Sequence, residues 1–174
     1  ETSDAMLRSY QQLLKENGAP QDAIERLKLN REGDLILELP NRNLEQVTWL
    51  KGIPLSRLDF RGSPLSDLTP LRGMPLKHMA LGQTKISRLD PLAGMQLDYL
   101  VLANTLVGDI GPLRGMPLRS INLGATKVSD LSALKGAPLK NLEIYHTAIT
   151  SLEPLRGMQL NSLMTGGSKG ITNL

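Results

Sequence analysis

Few residues in this 174-residue chain could do acid–base or metal chemistry. There are two histidines, His78 and His146, and no cysteine. Disulfides, thiolate metal sites and cysteine catalysis are therefore excluded. Hydroxyls recur instead. Thr84, Thr105, Thr126 and Thr147 stand 21 residues apart, with Ser63 before them and Ser168 after. A nucleophilic hydroxyl needs a base beside it, and no base recurs at a fixed distance from this column. One hydroxyl per unit is what a structural ladder to the backbone requires. Carboxylates are spread singly. Asp59 and Glu143 share a place in the same frame but lie about 19 Å apart if each unit adds one strand. That is too far for a paired acid and base. Gly166, Gly167 and Gly170 have the composition of a phosphate loop without its Lys-Ser/Thr and helix. The residues predict no enzyme, no cofactor and no metal.

The elements that would position these residues follow from the period itself. Pro117 to Ala137 reads PLRSINLGATKVSDLSALKGA, and the 21 residues on either side repeat it. A fixed period of this size marks a stack of similar units. Ile121 and Leu123 alternate with Ser120, Asn122 and Gly124, which predicts a short strand buried on one face. Val128, Leu131 and Leu134 are spaced by three, which suits a 3₁₀ turn. Gly recurs at 52, 73, 94, 115, 136 and 157, where a positive φ would end each turn. Pro70, Pro91, Pro112 and Pro154 suit the first turn of that segment. Asp67, Asp109 and Asp130 can accept N–H bonds at its start.

The frame divides the chain. Residues 1–32 are expected to form a helical N-terminal cap covering the end of the stack. Met6, Leu7, Tyr10, Leu13 and Leu14 make one face of a helix over Asp4–Asn17, and a shorter helix runs from Pro20 to about Lys28. A solenoid is expected over 33–174: a degenerate first repeat at 33–53, five full repeats at 54–158 and a partial last repeat at 159–174. Trp49 replaces the proline of later repeats and is placed between cap and stack.

What varies is the solvent side of the strands. Three columns run along it. The first is Arg57, His78, Tyr99, Ser120, Asn141 and Ser162. The second is Asp59, Ala80, Val101, Asn122, Glu143 and Met164. The third is Arg61, Gly82, Ala103, Gly124, Tyr145 and Gly166. Small residues fill the middle, with charged and aromatic groups around them, which is the anchor chemistry of protein interfaces. A protein or peptide ligand is expected here, held by Arg57, Asp59, Arg61, His78, Tyr99, Val101, Asn122, Asn141, Glu143 and Tyr145. Ser63, Thr84, Thr105, Thr126 and Thr147 are assigned to the structural ladder. A further column, Lys51, Arg72, Arg114, Lys135 and Arg156, lies where the turns end. Cations are favoured there, and an acidic partner is the other reading.

Net charge is +3, from 20 basic and 17 acidic residues. The balance and the absence of a Lys/Arg run give no footprint for nucleic acid. No apolar run approaches a membrane span, and no signal peptide is visible. The chain reads as a mature protein or a piece of a longer one, cytoplasmic or exported, and as a monomer or a weak oligomer through its open C-terminal end.

The segment LRSINLGATKVSDLSALKG, from Leu118 to Gly136, resembles a leucine-rich repeat. The short unit with its S-D-L-x-P-L segment, as at Ser66–Leu71, is similar to the bacterial internalin-like and SDS22-like subclass. The Thr-rich form ending in G-M-P is also similar to repeats attached to bacterial serine/threonine kinases of planctomycete type. The resemblance covers about residues 33–165 and departs from the family at its Asn column, where this chain carries Thr or Ser. It implies an α/β solenoid, a right-handed coil with a parallel β-sheet on the concave face and short 3₁₀ turns on the convex face, to which the apolar spacing of residues 1–32 adds an α-helical N-terminal cap. It implies non-catalytic protein–protein recognition. Two other settings stay open, a sensor or scaffold segment of a larger signalling enzyme such as a kinase, and a surface adhesion or structural protein.

Overall fold

A computed structural model describes residues 2–168, 170 and 171 of the chain; Lys169, within the glycine-rich tract after Met164, lies outside them. Two helices lead, α1 (Ser3–Glu16) and α2 (Gln21–Arg26). Among the described residues, eight strands form one sheet in chain order. They are β1 (Lys28–Leu29), β2 (Leu35–Glu38), β3 (Leu55–Asp59), β4 (His78–Ala80), β5 (Tyr99–Val101), β6 (Ser120–Asn122), β7 (Asn141–Glu143) and β8 (Ser162–Met164). From β2 onward every pair is parallel, and from β3 to β8 each residue faces the one 21 places later, as in Leu58↔Met79, Leu100↔Ile121 and Ile121↔Leu142. Three-residue 3₁₀ turns separate successive strands from β2 on, from Thr48–Leu50 through Ser132–Leu134 to Glu153–Leu155. Pro70, Pro91, Pro112 and Pro154 stand in the first positions of four of them.

The strand-facing and turn-facing leucines meet between sheet and turns in one continuous core. Leu81, Leu102 and Leu123, each directly after one of three successive strands, are fully buried, as are Leu92 and Leu134 from the turns. The hydroxyl column runs beside this core. Thr84, Thr105, Thr126 and Thr147 donate Oγ1 to the carbonyls of Leu81, Leu102, Leu123 and Ile144 at 2.6–2.7 Å. Ser63 does the same to Phe60 at 2.8 Å. Each hydroxyl therefore satisfies a carbonyl where the chain leaves a strand, inside the packed layer. Ser168 differs, because its hydroxyl reaches back to the Ile144 carbonyl at 2.6 Å.

The start of the chain departs from the sequence-based expectation. The second helix ends at Arg26, and Lys28–Leu29 pair antiparallel with Ile36–Leu35. The apolar spacing of Ala23, Ile24 and Leu27 does suit a helix. However, Asn30 Oδ1 accepts the N–H groups of Glu32 and Asp34 at 2.9 Å, and Gly33 takes φ +85°. That Asx turn folds Lys28–Leu29 back onto β2, whose edge would otherwise be unpaired. Helix α1 packs on the same end. Leu14 is fully buried, and Asn17 Nδ2 donates to the carbonyls of Trp49 and Lys51 at 3.1 and 2.8 Å. Trp49 is itself buried, its ring 6.3 Å from that of Phe60.

A second periodic feature lies in the backbone. Gly62, Gln83, Asn104, Ala125, His146 and Gly167, one per unit just after the strand, all take φ between +52° and +72°. Asn and Gly tolerate this conformation, whereas Ala carries the Cβ clash without a side chain to offset it. Ala125→Gly should therefore stabilise the fold by about 0.5–1 kcal/mol, the relief of strain less the entropy of glycine. Urea denaturation measures it, and a destabilised variant would contradict the reading.

Candidate functional site

The parallel register brings the three exposed columns side by side on the sheet face. Arg57, His78 and Tyr99 are direct cross-strand neighbours, as are Asp59, Ala80 and Val101. The third column continues the ladder past the strands, with Gly62 N–H donating to the Gly82 carbonyl and Gln83 N–H to that of Ala103. The face divides into two halves of different character.

The half over β2–β5 holds a pocket of about 400 Å³ floored by Leu58, Met79 and Ala80. Its walls carry Glu38, Arg57, Asp59, Arg61, His78 and Tyr99. Arg61 clasps Asp59, with Nε 3.0 and 3.1 Å from the two carboxylate oxygens and Nη2 2.6 Å from one of them. These contacts make the two an ion pair, and hydrogen bonding to Asp59, then its charge, holds the Arg61 guanidinium above its ordinary pKa. Glu38 is bracketed by Lys28 Nζ at 3.2 Å and Arg57 Nη1 at 3.8 Å. His78 Nε2 lies 3.4 Å from Asp98 Oδ1, and its ring is 6.0 Å from that of Tyr99. Tyr99 is 41% exposed, an aromatic ring in solvent beside a set of charged donors and acceptors.

The half over β6–β8 is mixed: Asn141, Ser162 and Met164, the last 52% exposed, face solvent, while the other side chains engage one another. Asn122 Nδ2 donates to Glu143 Oε2 at 2.7 Å, and Asn122 Oδ1 accepts from Gly124 N–H at 2.9 Å. The Tyr145 ring lies directly over Gly124, where even an added Cβ would collide with it. His146 meets Tyr145 edge-on at 5.9 Å and covers Gly167. The sequence suggested a bare apolar floor with Tyr145 at its rim. The tyrosine instead occupies that floor, because glycine at 124 leaves room for a flat ring and the wet surface offers it nothing better to pack on. Gly82 is similarly overlaid by Val101 Cγ1 and the Arg61 stem. Asn141 stands exposed on β7.

Tyr99 and Tyr145 are thus not one cluster, and His78 and His146 stand in different halves. Two residues escaped the sequence reading, Glu38 in the pocket wall and Asp98, the partner of His78. Glu38 lies 21 residues before Asp59, so the frame contained it, had the exposed columns been extended into the degenerate first unit. Asp98 sits one residue before its strand, outside the alternation that picked out the face. Among the described residues no group of three or more His, Asp or Glu is placed to hold a metal. No helix among them is long and apolar enough to cross a membrane.

The 21-residue frame, the parallel sheet and the single 3₁₀ turn per unit define a leucine-rich-repeat solenoid of internalin-like type. The chain is similar to the crystal structure of internalin InlF from Listeria monocytogenes, at TM-score 0.71 and 28% identity over 75% of this chain. It is similar to internalin C2 from the same organism at TM-score 0.71 and 29% identity over 74% of this chain. It spans 40% and 59% of those two proteins. No family model matches the sequence, and no curated protein does. A solenoid of this type is a protein-interaction repeat module.

Proposed function

We propose that the chain recognises a protein or peptide through its sheet face, without catalysis, and that the β2–β5 pocket is the centre of that contact. The observation that carries this is the contrast between the two halves of the face. Over β6–β8 Asn122, Glu143 and Tyr145 bond to or stack on their neighbours, and the exposed side chains of the strands, Asn141, Ser162 and Met164, carry neither charge nor ring. Over β2–β5 the exposed Tyr99 ring stands beside Arg57 and His78, around an open pocket of about 400 Å³. Tyr and Arg are the residue types that most often dominate interface energetics. Asp59 fixes Arg61, so Arg61 supplies shape; Arg57, with Glu38 only at 3.8 Å, is free to exchange partners.

The test is capture of a partner from native lysate by immobilised wild type and by the Arg57→Ala/Tyr99→Ala double variant. The double variant should retain at least about tenfold less partner. Its melting temperature should stay within about 2 °C, because neither side chain is buried. Equal retention by the two proteins would contradict the proposal.

A further inference from the structure

The side of the solenoid that carries the turns holds a second feature. A groove of about 890 Å³ runs between the turns Ser132–Leu134 and Glu153–Leu155 and the loops that leave them. Ala137, Pro138, Leu139 and Met158 give it an apolar wall, and Lys135, Lys140 and Arg156 reach into it. Two carboxylates, Asp130 and Glu153, line it too, each holding a partner from its own turn. Glu153 Oε2 takes Arg156 Nη2 at 2.7 Å. Asp130 accepts the Ser132 hydroxyl at 2.6 Å and its N–H at 2.8 Å, bonds that hold its carboxyl below the usual range. Neither Lys135 nor Lys140 has a carboxylate within 4.0 Å among the described residues, and Lys140 Nζ donates to the Gln159 carbonyl at 3.2 Å, a bond that leaves its charge uncompensated. Arg114 and Arg119, both exposed, extend the same sign one unit toward the N-terminus.

Helix-dipole stabilisation does not account for this row. The turns are three residues long, too short for an appreciable macrodipole. Lys140 and Arg119 stand just before strands β7 and β6, not at turn ends. Arg156 is paired with Glu153, but Lys135 and Lys140 face the groove without a carboxylate of their own, and two neighbouring cations repel each other. Their complement is an acidic partner, and the apolar wall between them adds a requirement for an apolar side chain.

We propose that this groove binds an acidic peptide segment of a partner protein, with carboxylates against Lys135 and Lys140 and an apolar residue seated between Pro138 and Met158. It is a separate site from the sheet face and stands whether or not that face binds.

The probe is a fluorescein-labelled peptide, Glu-Glu-Leu-Glu-Glu-Leu-Glu-Glu, titrated by anisotropy. Saturable binding at about 20 mM salt is expected, weakened at least tenfold at about 300 mM by screening. The Lys135→Glu/Lys140→Glu variant should lose at least about tenfold in affinity through like-charge repulsion, while Tyr99→Ala binds as wild type. Replacing both leucines of the peptide by serine should cost a further several-fold. Melting curves establish that the variants are folded, since both lysines are exposed. Three results would overturn the proposal: no saturable binding, equal affinity in the charge-reversed variant, or binding to phosphatidylserine vesicles with none to the peptide.

Discussion

Leu102→Ala should destabilise the chain by about 3–4 kcal/mol. Leu102 is fully buried and lies in the layer between Leu81 and Leu123, which are fully buried too. Its backbone is pinned on both sides, by its N–H to the Asn122 carbonyl at 2.8 Å and by the Thr105 hydroxyl on its own carbonyl at 2.7 Å. The layer therefore has little freedom to collapse into the cavity. In a one-dimensional stack, stability is the sum of unit terms and nearest-neighbour interfaces, and a central unit weakens two interfaces at once. Against a total of roughly 5–15 kcal/mol for a domain, the loss is severe. Urea denaturation should show a lower midpoint with the slope unchanged. A loss under about 1 kcal/mol would mean that the layers repack freely and that the pinned geometry described above is wrong.

Leu14→Ala should cost about 2–3 kcal/mol, and its effect should be local. Leu14 is the fully buried residue of α1; Leu7, Tyr10 and Leu13 of the same face are only partly buried. The helix touches one end of the stack, held by Leu14 and by the Asn17 side chain on the Trp49 and Lys51 carbonyls. An end element has one interface, so its loss leaves later units paired with each other. Native-state hydrogen exchange should show α1 amides losing protection first, with β4–β7 close to wild type. Uniform loss across β4–β7 would contradict this picture of the cap.

These two positions also show what the sequence could reveal. A repeat that writes the same core residue at every turn of the frame leaves nothing ambiguous about Leu102. The strands, the 3₁₀ turns, the glycines at positive φ and the hydroxyl ladder are all dictated locally and copied from unit to unit. What escaped was not periodic in residue type. Lys28–Leu29 form a strand because Asn30 and Gly33 turn the chain onto the open edge of β2, a tertiary pairing that outweighs helical spacing. The left-handed column after each strand was hidden because Gly, Gln, Asn, Ala and His all occupy it. On the face, the register placed every column, but alternation states only which residues point outward. It does not say that Tyr145 lies down on Gly124 while Tyr99 stands free, since that depends on the size of the neighbour one unit earlier.

The central claim is that the β2–β5 half of the sheet face is where a partner protein sits. Photo-cross-linking tests it most directly, with benzoyl-phenylalanine placed at Tyr99 in the pocket or at Ser87, exposed in the loop after Ile86. Irradiation in native lysate should give a discrete cross-linked species from position 99 and none from position 87. A species from position 87 with none from position 99 would contradict the account.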